Sequence, residues 1–460
     1  MISMSSEQIV AALQPKEAQH LEEFLELLEL QSVSTDPTKV PVMAQTAEWV
    51  AARLTKAGMP EVQIVQSAGH PAVIGRWHVS DDQPTVLVYG HFDVQPAEPL
   101  ELWDTPPFEP TLRDGRIYAR GSADMKGNLL TSIHGLEAVA AASGQPPINV
   151  SFIFEGEEEI GSPNFRPIVA EYKDFLKADA VLSADGGQFG PDQPNLSVGL
   201  KGLGGCQISL TAANTDLHSG MYGAWVPNAV QSLVQLAATF HDANGRVLVE
   251  GFYDTVHDLT NDERQEIADV PFDGDAEKKS LGIDEFWGEA GWTPVEREWA
   301  RPTIDFNGIW GGFQGDGSKT VTPREAHLKV TSRLVPNQLP DEIVTLIAAH
   351  AEKHKPVGTK VEVVPLKGSA KPFVVDRNNA VHITAGEVLT QIYGKAPFIV
   401  RSGGTIPATA IFQDELGIDT VLFAWSQPGS GAHAPNEWYR VEDYHRGAVA
   451  YATLYEHLKR

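Results

Sequence analysis

The sequence predicts an α/β protein in which a domain with a mostly parallel sheet, flanked by helices, is interrupted by an inserted α+β domain. Three observations predict this. Apolar, β-rich runs alternate with helix-period segments toward both ends of the chain, the pattern of a parallel sheet covered by helices. That alternation breaks near Lys201 and resumes after about residue 370. The chain's 460 residues also exceed the size at which a single core stops growing. The expected division is 1–199 with 371–460 for the discontinuous domain and 200–370 for the insertion.

The elements follow in order. Leu21, Phe24, Leu25 and Leu28 recur at helical spacing within 17–31. A second helix near 44–57 carries Trp49, Val50 and Leu54 and stops at Gly58. The runs EVQIVQ, PAVIGRWHV and TVLVYG read as strands, and 95–115 as a long proline-containing loop. Next come helix 127–143, strand 148–154, helix 163–177 and strand 180–184. In the insertion, GLGGCQISLTAANTDLHSG opens as a strand and VPNAVQSLVQLAATF follows as a helix. Residues 250–318 are acidic, glycine-rich and weakly patterned. The strand AHLKVTSRLV, the helix PDEIVTLIAAHAEKH and the strand KVEVVPL complete that domain. Helix 378–393, strand PFIV, helix 406–416, strand TVLFAW and a helix from 441 restore the first pattern.

Composition excludes several function classes. With 61 acidic and 35 basic residues, the net charge of −26 repels phosphate backbones and anionic lipid, so neither nucleic acid nor membrane is an expected partner. The sequence contains no run of about 20 apolar residues, the length that spans a bilayer, so no membrane-spanning helix is expected. The N-terminal MISMSSEQIVAALQPKEAQ lacks the basic-then-apolar order of a secretory leader. Cys206 is the single cysteine, so no intrachain disulfide forms. A cytoplasmic location is the expectation. His350 and His354, four apart on a helix, read as an exposed face, and Asn149-Val150-Ser151 as a sequon hidden at the start of a buried strand.

Five ligand-type residues fall at carboxyl ends of expected strands, or in loops beside them, where open α/β sheets collect ligands. His91 follows TVLVYG, and Asp93 is placed to orient its imidazole. Asp124 sits in RGSADMKGN between a glycine-containing loop and a helix; alone it would read as a helix cap. Glu157, Glu158 and Glu159 follow NVSFIF, and three adjacent carboxylates need protons, solvent or cations. Asp185 ends AVLSAD, and His433 lies in GSGAHAPNE after TVLFAW. Each is weak by itself. Together, two histidines and three carboxylates suit two divalent metals that share a carboxylate.

The ordered motifs GHFDVQP, RGSADMKG, EGEEEIGS, DLHSGMYG, SRLVPNQ, RSGGTIP and GAHAPNE resemble the metallopeptidase family of cytosolic nonspecific dipeptidase, carnosinase, aminoacylase and glutamate carboxypeptidase. The likeness is strongest to the nonspecific dipeptidase and carnosinase branch, over nearly the whole chain. It implies that His91 and Asp185 hold one metal, that Glu159 and His433 hold the other, and that Asp124 bridges them. It makes Glu158 the general base, while Glu157 receives no role. It further implies that His218 reaches across a homodimer, formed through the insertion, to the substrate carbonyl. Thr320, Arg333 and the Gly403-Gly404-Thr405 loop would contact substrate, the loop and the following helix N-terminus meeting its terminal carboxylate.

The implied chemistry is metal-dependent hydrolysis of a dipeptide or small peptide with a free C-terminal carboxylate. Two ions about 3.5–4 Å apart lower the pKa of a shared water toward about 7, giving hydroxide, and Glu158 takes its proton. Zinc is the expected metal, with manganese or cobalt as alternatives. An N-acyl-amino-acid deacylase or a carboxypeptidase would share these parts. A metal-stabilised binding protein without turnover is the reading from another class, and the presence of Glu158 argues against it.

Overall fold

The computed structural model describes residues 4–460; residues 1–3 of the N-terminal segment considered above as a leader lie outside them. Two compact units result: residues 1–198, 375–400 and 407–460 form the first, and 199–374 with 401–406 the second. The sequence-based boundaries lay at 199/200 and 370/371. The units additionally take 401–406 into the second, because that segment bonds there: the Thr405 hydroxyl donates to the Lys201 carbonyl (2.6 Å) and Lys201 N–H to the Ser402 carbonyl (3.1 Å).

In the first unit a six-stranded sheet runs in the order Glu61–Val65, Ala72–Trp77, Asn149–Glu155, Thr85–His91, Ala180–Ser183, Thr420–Leu422. Its last four strands are mutually parallel, and the first two join antiparallel at one edge. Asn149–Glu155 is buried along its whole length, as a strand covered on both faces must be. Asn149 is buried too, its side chain accepting Val79 and Ser80 N–H, so the sequon is inaccessible. The register sets His91 opposite Glu155 and Tyr89 opposite Ser183, so the residues after each strand emerge at one end of the sheet.

Helix Gly127–Ser143 packs on the C-terminal helix Val441–Leu458. Gly135 permits this contact, since a Cβ there would lie 2.5 Å from the Tyr451 Cβ. The tight packing holds the helix that starts three residues after Asp124. The expected helix 163–177 is two, Phe165–Glu171 and Lys173–Leu176. The expected loop 95–115 contains the short strand Thr111–Arg113, which pairs with Arg116–Tyr118.

The second unit is built on a four-stranded antiparallel sheet: Thr303–Gly311, Glu325–Leu334, Gly202–Thr211, Lys360–Pro365. The two central strands alternate buried and open positions, the signature of a sheet with one face in a core. Helices Ala229–Ala237 and Pro340–His354 cover that face, around Ile208, Leu233, Leu328 and Ile347. His350 is only 5% exposed, which corrects the expectation for that residue, while His354 is exposed as expected. His350 lies three residues after Ile347 and seven after Ile343, on the core side, where it stacks on His354 at 4.3 Å and bonds to the Thr239 hydroxyl at 2.9 Å. The weakly patterned stretch holds the edge strand Thr303–Gly311 and three helices. Capping boxes at Thr260/Glu263 and Thr293/Glu296 start two of these helices. Among the described residues, no helix is long and apolar enough to cross a membrane.

Candidate functional site

At the carboxyl end of the parallel strands, the first unit gathers His91, Asp124 and Glu159 so closely that one ligand atom from each lies within 4.8 Å of the others. His433 joins them, its Nε2 being 3.0 Å from Asp124 Oδ2 and 3.2 Å from Glu159 Oε2. Asp124 turns its other oxygen, Oδ1, toward His91 Nε2 at 3.2 Å. One carboxylate thus spans two imidazoles with separate oxygens. His91 is fully buried, whereas the His433 side chain is 55% exposed, so the group opens to solvent on one side.

Asp93 is buried beneath the cluster. His91 Nδ1 lies 3.1 Å from the Asp93 carbonyl and 3.4 Å from its Oδ1, which aims Nε2 at Asp124. The same carboxylate accepts the N–H groups of Glu158 (3.2 Å) and Glu159 (3.1 Å). Asp93 therefore ties the strand-end histidine to the acidic run. Glu157, by contrast, turns away and accepts His70 N–H and the Asn164 amide. Asp185 stands near the cluster without belonging to its tightest group.

Electrostatics show what these groups lack. Burial pushes the Asp185 carboxyl up to about 7, and the Asp124 and Glu159 charges add to it. Burial also pushes Glu158 up; His91 opposes this, and Asp185, Glu155 and Glu159 reinforce it. Hydrogen bonds that His433 donates to the Asp124 and Glu159 carboxylates hold it up to about 10. Burial works to raise Asp124, but the bonds from His433 and His91 outweigh it and hold it below the usual carboxylate range. Three carboxylates, Asp124, Glu159 and Asp185, and the two imidazoles offer a mixed oxygen and nitrogen donor set, which suits zinc, manganese or cobalt. A candidate metal site is present.

The second unit carries two further groups. His218 pairs with Val321 in a two-residue ladder, and Ser219 N–H donates to the Thr320 carbonyl (3.2 Å), so His218 and Thr320 stand together on an exposed edge. Gly220 N–H donates to His218 Nδ1 at 3.1 Å. Elsewhere Arg333 Nη1 donates to the Thr405 hydroxyl at 3.0 Å. Arg333 and Gly403 line a cavity of about 340 Å³ with Lys201, Trp287, Glu298 and Asp305. Gly404 N–H is bonded to the Ser402 hydroxyl.

Two residues around the candidate metal site escaped the sequence reading although both lie inside quoted motifs. The Gln95 amide donates to Glu159 Oε2 (2.8 Å) and to the Glu159 carbonyl (3.1 Å). Glu437 is fully buried against the loop that carries Asp124. Neither has a local signal; only their proximity to residues far away in sequence reveals them.

The family model described as peptidase family M20/M25/M40 matches residues 87–457. A Cys-Gly metallodipeptidase of Schizosaccharomyces pombe is 29% identical, the alignment covering 99% of each chain. The crystal structure of an M20 family metallo-carboxypeptidase from Sulfolobus solfataricus superposes with a TM-score of 0.83 at 31% identity, over 96% of this chain and 99% of that one. Human carnosine dipeptidase 1 superposes with a TM-score of 0.81 at 25% identity, over 100% of both chains.

Proposed function

This chain belongs to peptidase family M20/M25/M40, and from that premise we propose that it hydrolyses the peptide bond of dipeptides or similarly small peptides using two divalent metal ions, zinc foremost. The observation that carries this reading is the Asp124 carboxylate, set between His91 and His433 with Glu159 beside it. His91 and Asp185 would hold one ion, Glu159 and His433 the other, and Asp124 both. When bound, such a pair of ions lowers the pKa of a shared water and polarises the scissile carbonyl.

The chain's own residues do the rest. Glu158 takes the water's proton and passes it to the leaving amine, the usual work of a placed carboxylate, and burial raises its carboxyl above the ordinary carboxylate range. Asp93 orients His91 and fixes the backbone under Glu158 and Glu159. Because the His218 Nδ1 accepts Gly220 N–H, the neutral ring carries its proton on Nε2 and presents a donor. We assign that donor to the oxyanion in the site of a partner chain, within a homodimer formed through residues 200–370, with Thr320 beside it. Arg333 spends one N–H on Thr405 and keeps the rest of its fork for the substrate's terminal carboxylate. Gly403, Gly404 and Thr405 flank it. Such an anchor measures substrate length, because a free carboxylate must sit one residue beyond the cleaved bond. A chain whose one cysteine forms no disulfide suits the cytoplasm.

Metal-reconstituted protein should hydrolyse a dipeptide faster than its N-acetyl analogue or a longer peptide. The likeness to a metallo-carboxypeptidase makes the longer peptide the instructive competitor. Preference for it would replace dipeptidase by carboxypeptidase, preference for the N-acetyl compound would indicate a deacylase, and metal binding without any hydrolysis would leave a binding protein.

Metal uptake should also expel protons. At pH 7 His433, raised to about 10, holds its proton, and Asp185, raised to about 7, is half protonated. A ligand must be deprotonated, so binding releases protons and affinity rises with pH across this range. Calorimetry of zinc addition to apoprotein, in two buffers of different ionisation enthalpy, should show release of more than about one proton per chain near pH 7, because His91, raised against burial by its bonds to Asp124 and Asp93, adds to His433 and Asp185. Zero release, or affinity that falls as pH rises, would contradict the ligand assignment.

A further inference from the structure

We infer that Glu437, which no assignment above uses, is a positioning residue that sets the separation of Asp124 and His433. The inference rests on the reading of those two residues as metal ligands. Glu437 is 0% exposed, and both its oxygens are fully engaged. Oε2 accepts Arg120 Nη1 (2.7 Å) and Gly121 N–H (2.8 Å); Oε1 accepts the N–H groups of Ala123 (2.8 Å) and Asp124 (3.0 Å). A carboxylate has about four acceptor positions. All are taken by donors from 120–124, so Glu437 has none left for a metal and is no further ligand.

Its bonds tie together two loops more than 300 residues apart in sequence, one bearing Asp124 and the other His433. On the Asp124 side the backbone is wound around the carboxylate. Gly121 takes φ +82°, and a Cβ there would fall 2.5 Å from Val94 Cγ1, so the turn closes only with glycine. On the His433 side, Trp438 N–H donates to the Ser430 carbonyl (2.8 Å) and closes the loop at its base. Asn436 ties the same loop to Asp104 and Leu102. Glu437 stands at that base, four residues after His433. The 3.0 Å approach of His433 Nε2 to Asp124 Oδ2 is thus held by a buried, charge-assisted clasp rather than by the two side chains alone.

Removing such support typically costs 10–100-fold in metal affinity. Glu437→Gln keeps the shape but replaces one acceptor oxygen by an amide that confronts N–H donors. Apoprotein titrated with zinc against a chromophoric chelator should bind about 10–100-fold more weakly than wild type. The cobalt-substituted variant should show an altered visible spectrum, and excess metal should restore turnover. Glu23→Gln, in the remote buried network with Arg53 and His134, is the control for general destabilisation. If Glu437→Gln does not fold, Glu437→Asp retains the charge for Arg120 but is too short to reach all four donors, and the same titration is read on it. Affinity and cobalt spectrum equal to those of the Glu23→Gln control would overturn the inference and leave Glu437 merely structural. His433→Ala separates the two failures: if it binds both metals as wild type does, the ligand reading itself falls; if it loses one while the Glu437 variants bind normally, only the positioning role falls.

Discussion

Glu158→Gln should lose about 10²–10⁴-fold in kcat while still binding both metals, since proton transfer by a placed carboxylate is worth that much. The amide keeps the side chain's shape and cannot take a proton. Metal retention follows from the ligand assignment proposed above: His91, Asp124, Glu159, Asp185 and His433 supply both sites, and Glu158 is not needed to complete either. Glu158 instead lies beside these groups, its N–H held by Asp93 and its carboxyl raised by burial and by neighbouring acids. Metal content by elemental analysis, measured with steady-state kinetics, checks both halves. A variant with full metal and near-wild-type kcat removes Glu158 from the reaction. One that loses metal makes it a ligand.

His218→Ala should cost about 10²–10³-fold in kcat, the usual consequence of deleting one oxyanion donor. His218→Gln, whose amide can present an N–H near the position of Nε2, should recover part of it. The test of assembly is stronger. If His218 serves the neighbouring chain's site, inactive His218→Ala and inactive Glu158→Ala subunits should complement each other on mixing. One site of each mixed dimer is then intact and the other doubly defective. Random exchange should return about a quarter of wild-type activity, because half the dimers are mixed and each has one working site of two. The exposed placement of His218 on its short ladder, with Thr320 just before the partner strand, motivates this. Demonstrated subunit exchange without recovered activity would put His218 to work in its own chain, or nowhere.

Much of the fold was legible because its signals are local. Helices Gly127–Ser143 and Pro340–His354 begin and end where periodicity and glycine or proline placed them. The edge strand Thr303–Gly311 was missed for a physical reason. Only Ile304 in it is buried, and the register shifts between Phe306 and Gly308, so no alternating pattern exists to be read. The helices around it are short, and capping boxes are the clearest mark of two of them.

By itself, then, the sequence determined the α/β class, the interruption near Lys201, and the residue types that end the parallel strands, because strand and helix periods and turn chemistry are set by near neighbours. Tertiary structure alone decided which of those side chains meet. Asp124 faces His91 from 33 residues away and His433 from 309. It alone buried His350, drew 401–406 into the second unit, and closed Glu437 around the loop that carries Asp124. Contacts of that range depend on how the elements pack, and no period within one segment encodes them.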